Sequence, residues 1–179
     1  MKIILIKYGE LTTKKDNRKL FINILYNNIK KALEDYNVKI VKNRVRMFIE
    51  TEDNIDEIVD ILKNIFGIHS IVVATRVNTN TKEIEDKALE ISKETNFKTF
   101  KVETDRADKS FPIPSMEFSR RVGSLILRNI PNIKVDVHSP DYLLKIEIRE
   151  DYTYIYHKEV KAAGGYPVGV AGKGLLMLS

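Results

Sequence analysis

Apolar side chains at the start of the chain switch between strand-like and helical spacing, and the order of the switches leaves few folds open. Ile3, Ile4, Leu5 and Ile6 form an unbroken apolar run of the β type. From Asn17 a helical face takes over, carried by Phe21, Ile24, Leu25, Asn28, Ile29, Ala32 and Leu33. Two short alternating stretches, Val38 to Val41 and Val45 to Ile49, meet around Asn43 and read as a hairpin. Asp53 or Asn54 then caps a second helix through Ile55, Ile58, Val59, Leu62, Ile65 and Phe66, ending at Gly67. Ile71 to Val77 supplies a last strand.

The succession β-α-β-β-α-β over residues 1–77 is the split-βαβ, ferredoxin-like pattern, an antiparallel sheet with helices on one face. It hosts many activities and is silent about chemistry. A second α/β unit follows over 78–163, so the fold class is α+β. Asn80 caps its first helix with Glu83 three residues on, and Ile84, Ala88 and Ile91 point inward. Phe100, Val102 and Thr104 alternate with Lys101 and Glu103 in a strand that runs into the charged stretch Asp105 to Lys109. Pro112 and Pro114 stop regular structure, and Ser115 reads as the N-cap of a helix reaching Asn129, with Phe118, Val122, Leu125 and Ile126 as its buried stripe. Strands at Ile133 to Val137, Tyr142 to Arg149 and Tyr152 to His157 complete the unit. From Ala162 to Gly174 five of the eight glycines in the chain occur, which reads as a linker, with 164–179 as linker plus the first strand of a further domain. The apolar run Leu175 to Leu178 stops at Ser179 without a turn or cap, the pattern expected of a truncated protein.

Lys and Arg number 30 against 25 Asp and Glu, a formal net charge of +5 that suits a polyanionic partner. The positive charge is front-loaded: residues 1–50 hold 12 basic and 5 acidic side chains, while residues 51–100 hold 6 and 10. The absence of cysteine excludes disulfides, thiolate metal sites and a sulfur nucleophile within this chain. No run of apolar residues is long enough to span a bilayer, and the default expectation is a cytoplasmic protein with no membrane partner.

His69, His138 and His157 lack the spacing of a metal site, and no catalytic or metal-ligating role is assigned to any residue. The glycine-rich tail fails the Walker A pattern, because position 167 is proline and position 174 is glycine. More informative is the helix from Ser115. Opposite its apolar stripe it collects Arg120, Arg121, Ser124 and Arg128, with Ser115 and Ser119 near its start. The incoming loop adds Arg106, Lys109 and Phe111. Guanidinium groups grip phosphate bidentately, a helix N-terminus favours anions, and Phe111 offers a ring for an unpaired base, so the cluster points to nucleic acid. The alternative is a solvated basic face with Phe111 in the core. Lys7, Lys14, Lys15, Arg18, Lys19, Arg44 and Arg46 form a second, scattered basic collection.

Lys7-Tyr8-Gly9-Glu10-Leu11 followed by Asn17-Arg18 resembles the opening of the tRNA 4-thiouridine synthases, or tRNA sulfurtransferases, although Lys15 stands where that family has glycine. Arg106, Lys109, Phe111, Ser115 and Gly123, followed by Pro140-Asp141, resemble the core of a THUMP domain, an RNA-binding module of tRNA-modifying enzymes. Gly164-Gly165-Tyr166-Pro167-Val168-Gly169 with Leu175 to Ser179 is similar to the segment entering the family's PP-loop ATPase domain.

The resemblance implies that the full protein adenylates the uridine at position 8 of tRNA with Mg-dependent ATP, after which persulfide sulfur from a cysteine desulfurase displaces AMP. It also implies a link to thiamine biosynthesis. This chain would be the docking half, with Arg106, Lys109, Phe111, Ser115, Arg120, Arg121, Lys14 and Arg18 holding the tRNA acceptor end. Met177 and Leu178 would line the ATP pocket, and a homodimer follows by analogy alone. The competing readings are a non-enzymatic ferredoxin-like protein-interaction module and the RNA-binding part of a THUMP methyltransferase.

Overall fold

The computed structural model describes residues 1–9 and 17–172. The chain divides into two compact units: Ile3–Val73 together with the segment from Glu159 onward, and Met1–Lys2 together with Ala74–Lys158.

The first unit runs β1 (Lys2–Lys7), α1 (Arg18–Ala32), β2 (Val38–Lys42), β3 (Arg46–Thr51), α2 (Ile55–Leu62) and β4 (Ser70–Val77). Its strands lie in the order β2-β3-β1-β4, the split-βαβ arrangement expected from the sequence. Asn43 makes the hairpin turn by accepting from the backbone N–H of Val45 and of Arg46, so β3 starts at Arg46 and Ile40 pairs with Ile49. Ile4 and Ile6 of β1 pack under Leu25 and Ile29 of α1 and Ile58 and Leu62 of α2. Asn54 caps α2 by accepting from Asp56 N–H, while Asp53 accepts from the backbone of Asn37 instead. The helix ends at Leu62, and Ile65 and Phe66, read from the sequence as its last turn, lie beyond it.

Two signature residues near the start are structural. Tyr8 is buried and its hydroxyl donates to Asn43 O at 3.0 Å. Gly9 has φ +56°, and a Cβ there would lie 2.6 Å from the Cβ of His69, so only glycine fits under that imidazole.

The second unit adds α3 (Thr81–Lys93), β5 (Thr99–Arg106), α4 (Ser115–Asn129), β6 (Lys134–Val135), β7 (Tyr142–Ile148) and β8 (Thr153–Tyr156). With the last residues of β4, its sheet runs β4-β8-β7-β5-β6. β5 is parallel to β6 and β7, and β8 is antiparallel to its neighbours, giving the mixed sheet of an α+β fold. Phe118, Val122 and Ile126 of α4 and Ile84 and Ala88 of α3 cover Phe100, Leu144, Ile146 and Ile148. Asn80 caps α3 as expected, accepting from the N–H of Lys82 and Glu83.

The segment from Glu159 onward, whose part after Lys161 glycine content marks as a linker, packs within the first unit. β9 (Glu159–Lys161) pairs antiparallel with Ser70–Val72 of β4. Ala162 N–H donates to His69 O, Ala163 N–H to Lys63 O and Gly164 N–H to Ile68 O, and Gly67 N–H returns a bond to Gly164 O at 2.7 Å. Pro167 sits on Gly67, Tyr166 meets Phe21 edge-on at 5.5 Å, and Asn28 donates to Val168 O. Glu159 receives Lys7 Nζ at 2.8 Å and Ser70 Oγ at 2.5 Å.

Candidate nucleic-acid interface

The expected basic cluster of the second unit is carried by the end of β5, the loop 107–114 and α4. β5 is held between β6 and β7, which fixes where the loop leaves the sheet. The Pro140-Asp141 pair acts at the opposite end of β5. Asp141 accepts from the backbone of Lys98 and Thr99, and Thr99 Oγ1 accepts from Asp141 N–H, so this pair clamps the starts of β5 and β7 together. Ser119 joins α4 to β5 by accepting from Thr104 N–H at 3.0 Å and donating to Thr104 Oγ1 at 2.9 Å.

The loop is built to a fixed shape. Ala107 N–H donates to Ile148 O, and Asp108 accepts from both the hydroxyl and the N–H of Ser110, bonds that hold its carboxyl below the ordinary carboxylate range. Arg106 Nη1 donates to Phe111 O at 2.8 Å. Lys109 stands exposed at the apex, between Asp108 and Ser110.

Two expectations change here. Phe111 is 4% exposed and lies edge-on to Phe118 at 5.2 Å, so its ring belongs to the core and is closed to a stacking base. Ser115 is the first residue of α4 rather than its cap; Pro114 occupies the cap position, and no side chain caps the helix. A proline there presets the chain direction but supplies no acceptor for the free N–H groups.

Arg120 and Arg121 both lie on the exposed side of α4 but differ in surroundings. Arg121 is held by both oxygens of Glu85 on α3, with Nη2 3.1 Å from Oε2, a pairing that raises its pKa further. Arg120 has no hydrogen-bond or ion-pair partner among the described residues. Arg128 folds back along its own helix, its Nε donating to Ser124 O one turn earlier. From the sequence, Glu85 reads with Glu83 and Asp86 as part of a solvated acidic face; the structure instead turns it toward α4, with its side chain 14% exposed, and no sequence pattern marks it as a clamp.

Of the other expected site residues, Arg18 opens α1 in the first unit. Lys14, Met177 and Leu178 lie outside the described residues. Among the described residues no helix is long and apolar enough to cross a membrane.

The ThiI ferredoxin-like domain model matches residues 3–72 and the THUMP domain model matches residues 78–158. A probable tRNA sulfurtransferase of Thermoanaerobacter pseudethanolicus is 49% identical over 178 residues, covering 99% of this chain and 47% of the relative. A 4-thiouridine synthetase solved as an RNA complex with bound ATP superposes with a TM-score of 0.85 at 31% identity, over 100% of this chain and 46% of that one. A Pyrococcus horikoshii protein superposes with a TM-score of 0.81 at 35% identity, over 94% and 58% of the two chains. The chain spans about half the length of the curated relatives it matches. With both domain models matched in order, the chain carries a ThiI ferredoxin-like domain followed by a THUMP domain, and along nearly its whole length it is similar to about half of each of these tRNA sulfurtransferases.

Proposed function

We propose that this chain is the tRNA-docking half of a cytoplasmic tRNA sulfurtransferase that makes 4-thiouridine at position 8, and that catalysis resides in the rest of the longer protein. The observation that carries it is the likeness, over the whole chain, to a 4-thiouridine synthetase solved with RNA. The exposed Lys109 at the apex of the 107–114 loop and the exposed Arg120 on α4 supply the cationic surface such docking needs. They hold the acceptor end by its phosphates, with Lys14 and Arg18 assisting from the first unit. The absence of cysteine accords with sulfur transfer elsewhere in the protein.

ATP, as its Mg complex, supplies adenylation of the uridine in the longer protein, where Met177 and Leu178 contribute to its pocket. A cysteine desulfurase serves as sulfur donor, thiamine biosynthesis draws on the same sulfur, and two chains assemble as a homodimer.

Filter binding of an unmodified tRNA transcript to this chain tests the docking role. Affinity is expected to fall steeply as salt rises, and removing the 3′ single-stranded end of the transcript is expected to weaken it. Salt-independent binding, or equal binding of the shortened transcript, overturns acceptor-end docking.

A further inference from the structure

Of the five cations at the end of β5, in the loop and on α4, Arg128 is turned onto Ser124 O of its own helix, and the other four differ in their freedom to meet a phosphate. Lys109 and Arg120 are exposed and have no hydrogen-bond or ion-pair partner among the described residues. Arg106 instead turns its guanidinium back onto its own loop, where Nη1 holds Phe111 O at 2.8 Å. That bond spans the turn whose apex is Lys109. The far end of the turn is fixed by the Phe111 ring against Phe118, and the near end by Ala107 N–H on Ile148 O. Without Arg106, the segment between those two anchors loses its cross-brace.

Arg121 is committed differently. Its partner Glu85 has a side chain only 14% exposed, against 54% for Arg121. Withdrawing the guanidinium toward an outside phosphate would leave a mostly buried carboxylate without its counter-charge, which is costly, whereas an exposed ion pair returns little. The pair therefore stays closed and ties α4 to α3.

We infer that Arg106 and Arg121 are positioning residues, that Arg106 shapes the loop so that Lys109 projects, that Arg121 sets α4 so that Arg120 projects, and that of these four cations Lys109 and Arg120 are the ones that touch RNA phosphate. The assignment rests on the docking role proposed above for the same surface.

Each neutralised phosphate releases counterions and adds to the salt slope of binding, whereas a brace adds nothing of its own. The test measures affinity of the chain for an unmodified tRNA transcript across a salt series. Lys109→Ala and Arg120→Ala are each expected to reduce the slope by about one. Arg106→Gln is expected to weaken binding roughly tenfold in the native background but less than about twofold once Lys109→Ala is present, with no further change in slope. Arg106→Lys keeps the charge without the planar fork, and is expected to match Arg106→Gln. The double change Glu85→Gln with Arg121→Gln replaces the ion pair by an uncharged hydrogen-bonding pair, and is expected to retain the native slope.

A loss of about one further unit of slope, from Arg106→Gln in the Lys109→Ala background or from the double glutamine variant, shows a guanidinium on phosphate and overturns the assignment. Native slopes in both Lys109→Ala and Arg120→Ala overturn the docking role itself, and the assignment with it.

Discussion

His157 lies half-buried with its ring 5.1 Å from that of Tyr142. Burial, and then the adjacent Lys158 ammonium, push its pKa below the ordinary histidine value. The folded state thus resists protonating this imidazole more than the unfolded chain does. Its contribution is unperturbed above the ordinary histidine range, and stability falls as pH drops through that range, because the unfolded chain then binds the extra proton. Melting temperatures from pH 7.5 to 5.5 should decline less in His157→Gln than in the native chain; equal declines would contradict the effect. At this scale the sequence is legible where one side chain settles a local geometry, as Asn54 and Asn80 do by capping helices. It is not legible where a neighbour in the chain decides. Ser115 carries a good capping hydroxyl, but the helix begins at Ser115 itself with Pro114 before it, which moves that hydroxyl out of the cap position.

The segment after Lys161 shows the same limit for an element. Glycine content reports that the backbone needs left-handed angles, and Gly164, Gly165, Gly169 and Gly172 do have positive φ. Composition does not report whether such a stretch is solvated or docked, and here exchanged backbone bonds with residues 63–69 dock it. The docking depends on Gly67, at φ +98°, where a Cβ would lie 2.7 Å from Pro167 Cγ. Gly67→Ala is expected to cost about 1–3 kcal/mol in stability and to speed amide exchange at Ala163 and Gly164. Adding Pro167→Ala removes the ring atom in the way and should restore part of the protection. Unchanged exchange in Gly67→Ala would show that the segment is held by other contacts. The helices and the long strands were legible because their apolar spacing records burial directly, with α2 overextended because Ile65 and Phe66 continue that spacing past its last turn. The short exposed strands were not: β9 goes unread, and β6 covers only Lys134–Val135 of the expected 133–137.

For the molecule as a whole, net positive charge and the docking role proposed above predict that tRNA stabilises the folded chain. A ligand at 100 times its dissociation constant adds about 2.7 kcal/mol, enough to raise the melting temperature by several degrees. The rise should be present at about 50 mM salt and largely gone at about 300 mM, as differential scanning fluorimetry would register. A rise indifferent to salt would point to an apolar contact instead. The cationic surface itself was only half legible, since charge counts list every guanidinium alike, while Glu85 and the Phe111 carbonyl, distant or unmarked in the sequence, separate Arg121 and Arg106 from Lys109 and Arg120.

The burial of Phe111 has one more effect. Neither the 107–114 loop nor α4 exposes an aromatic ring, since Phe118 is buried as well. A nucleotide passing over this face would meet cations that attract its sugar–phosphate rail and, for its letter, no aromatic ring but only the planar guanidinium of Arg120, on which any base stacks alike. Selection on this face would then follow the contour of a folded RNA rather than its spelling, and molecules of one shape but different sequence would be received alike.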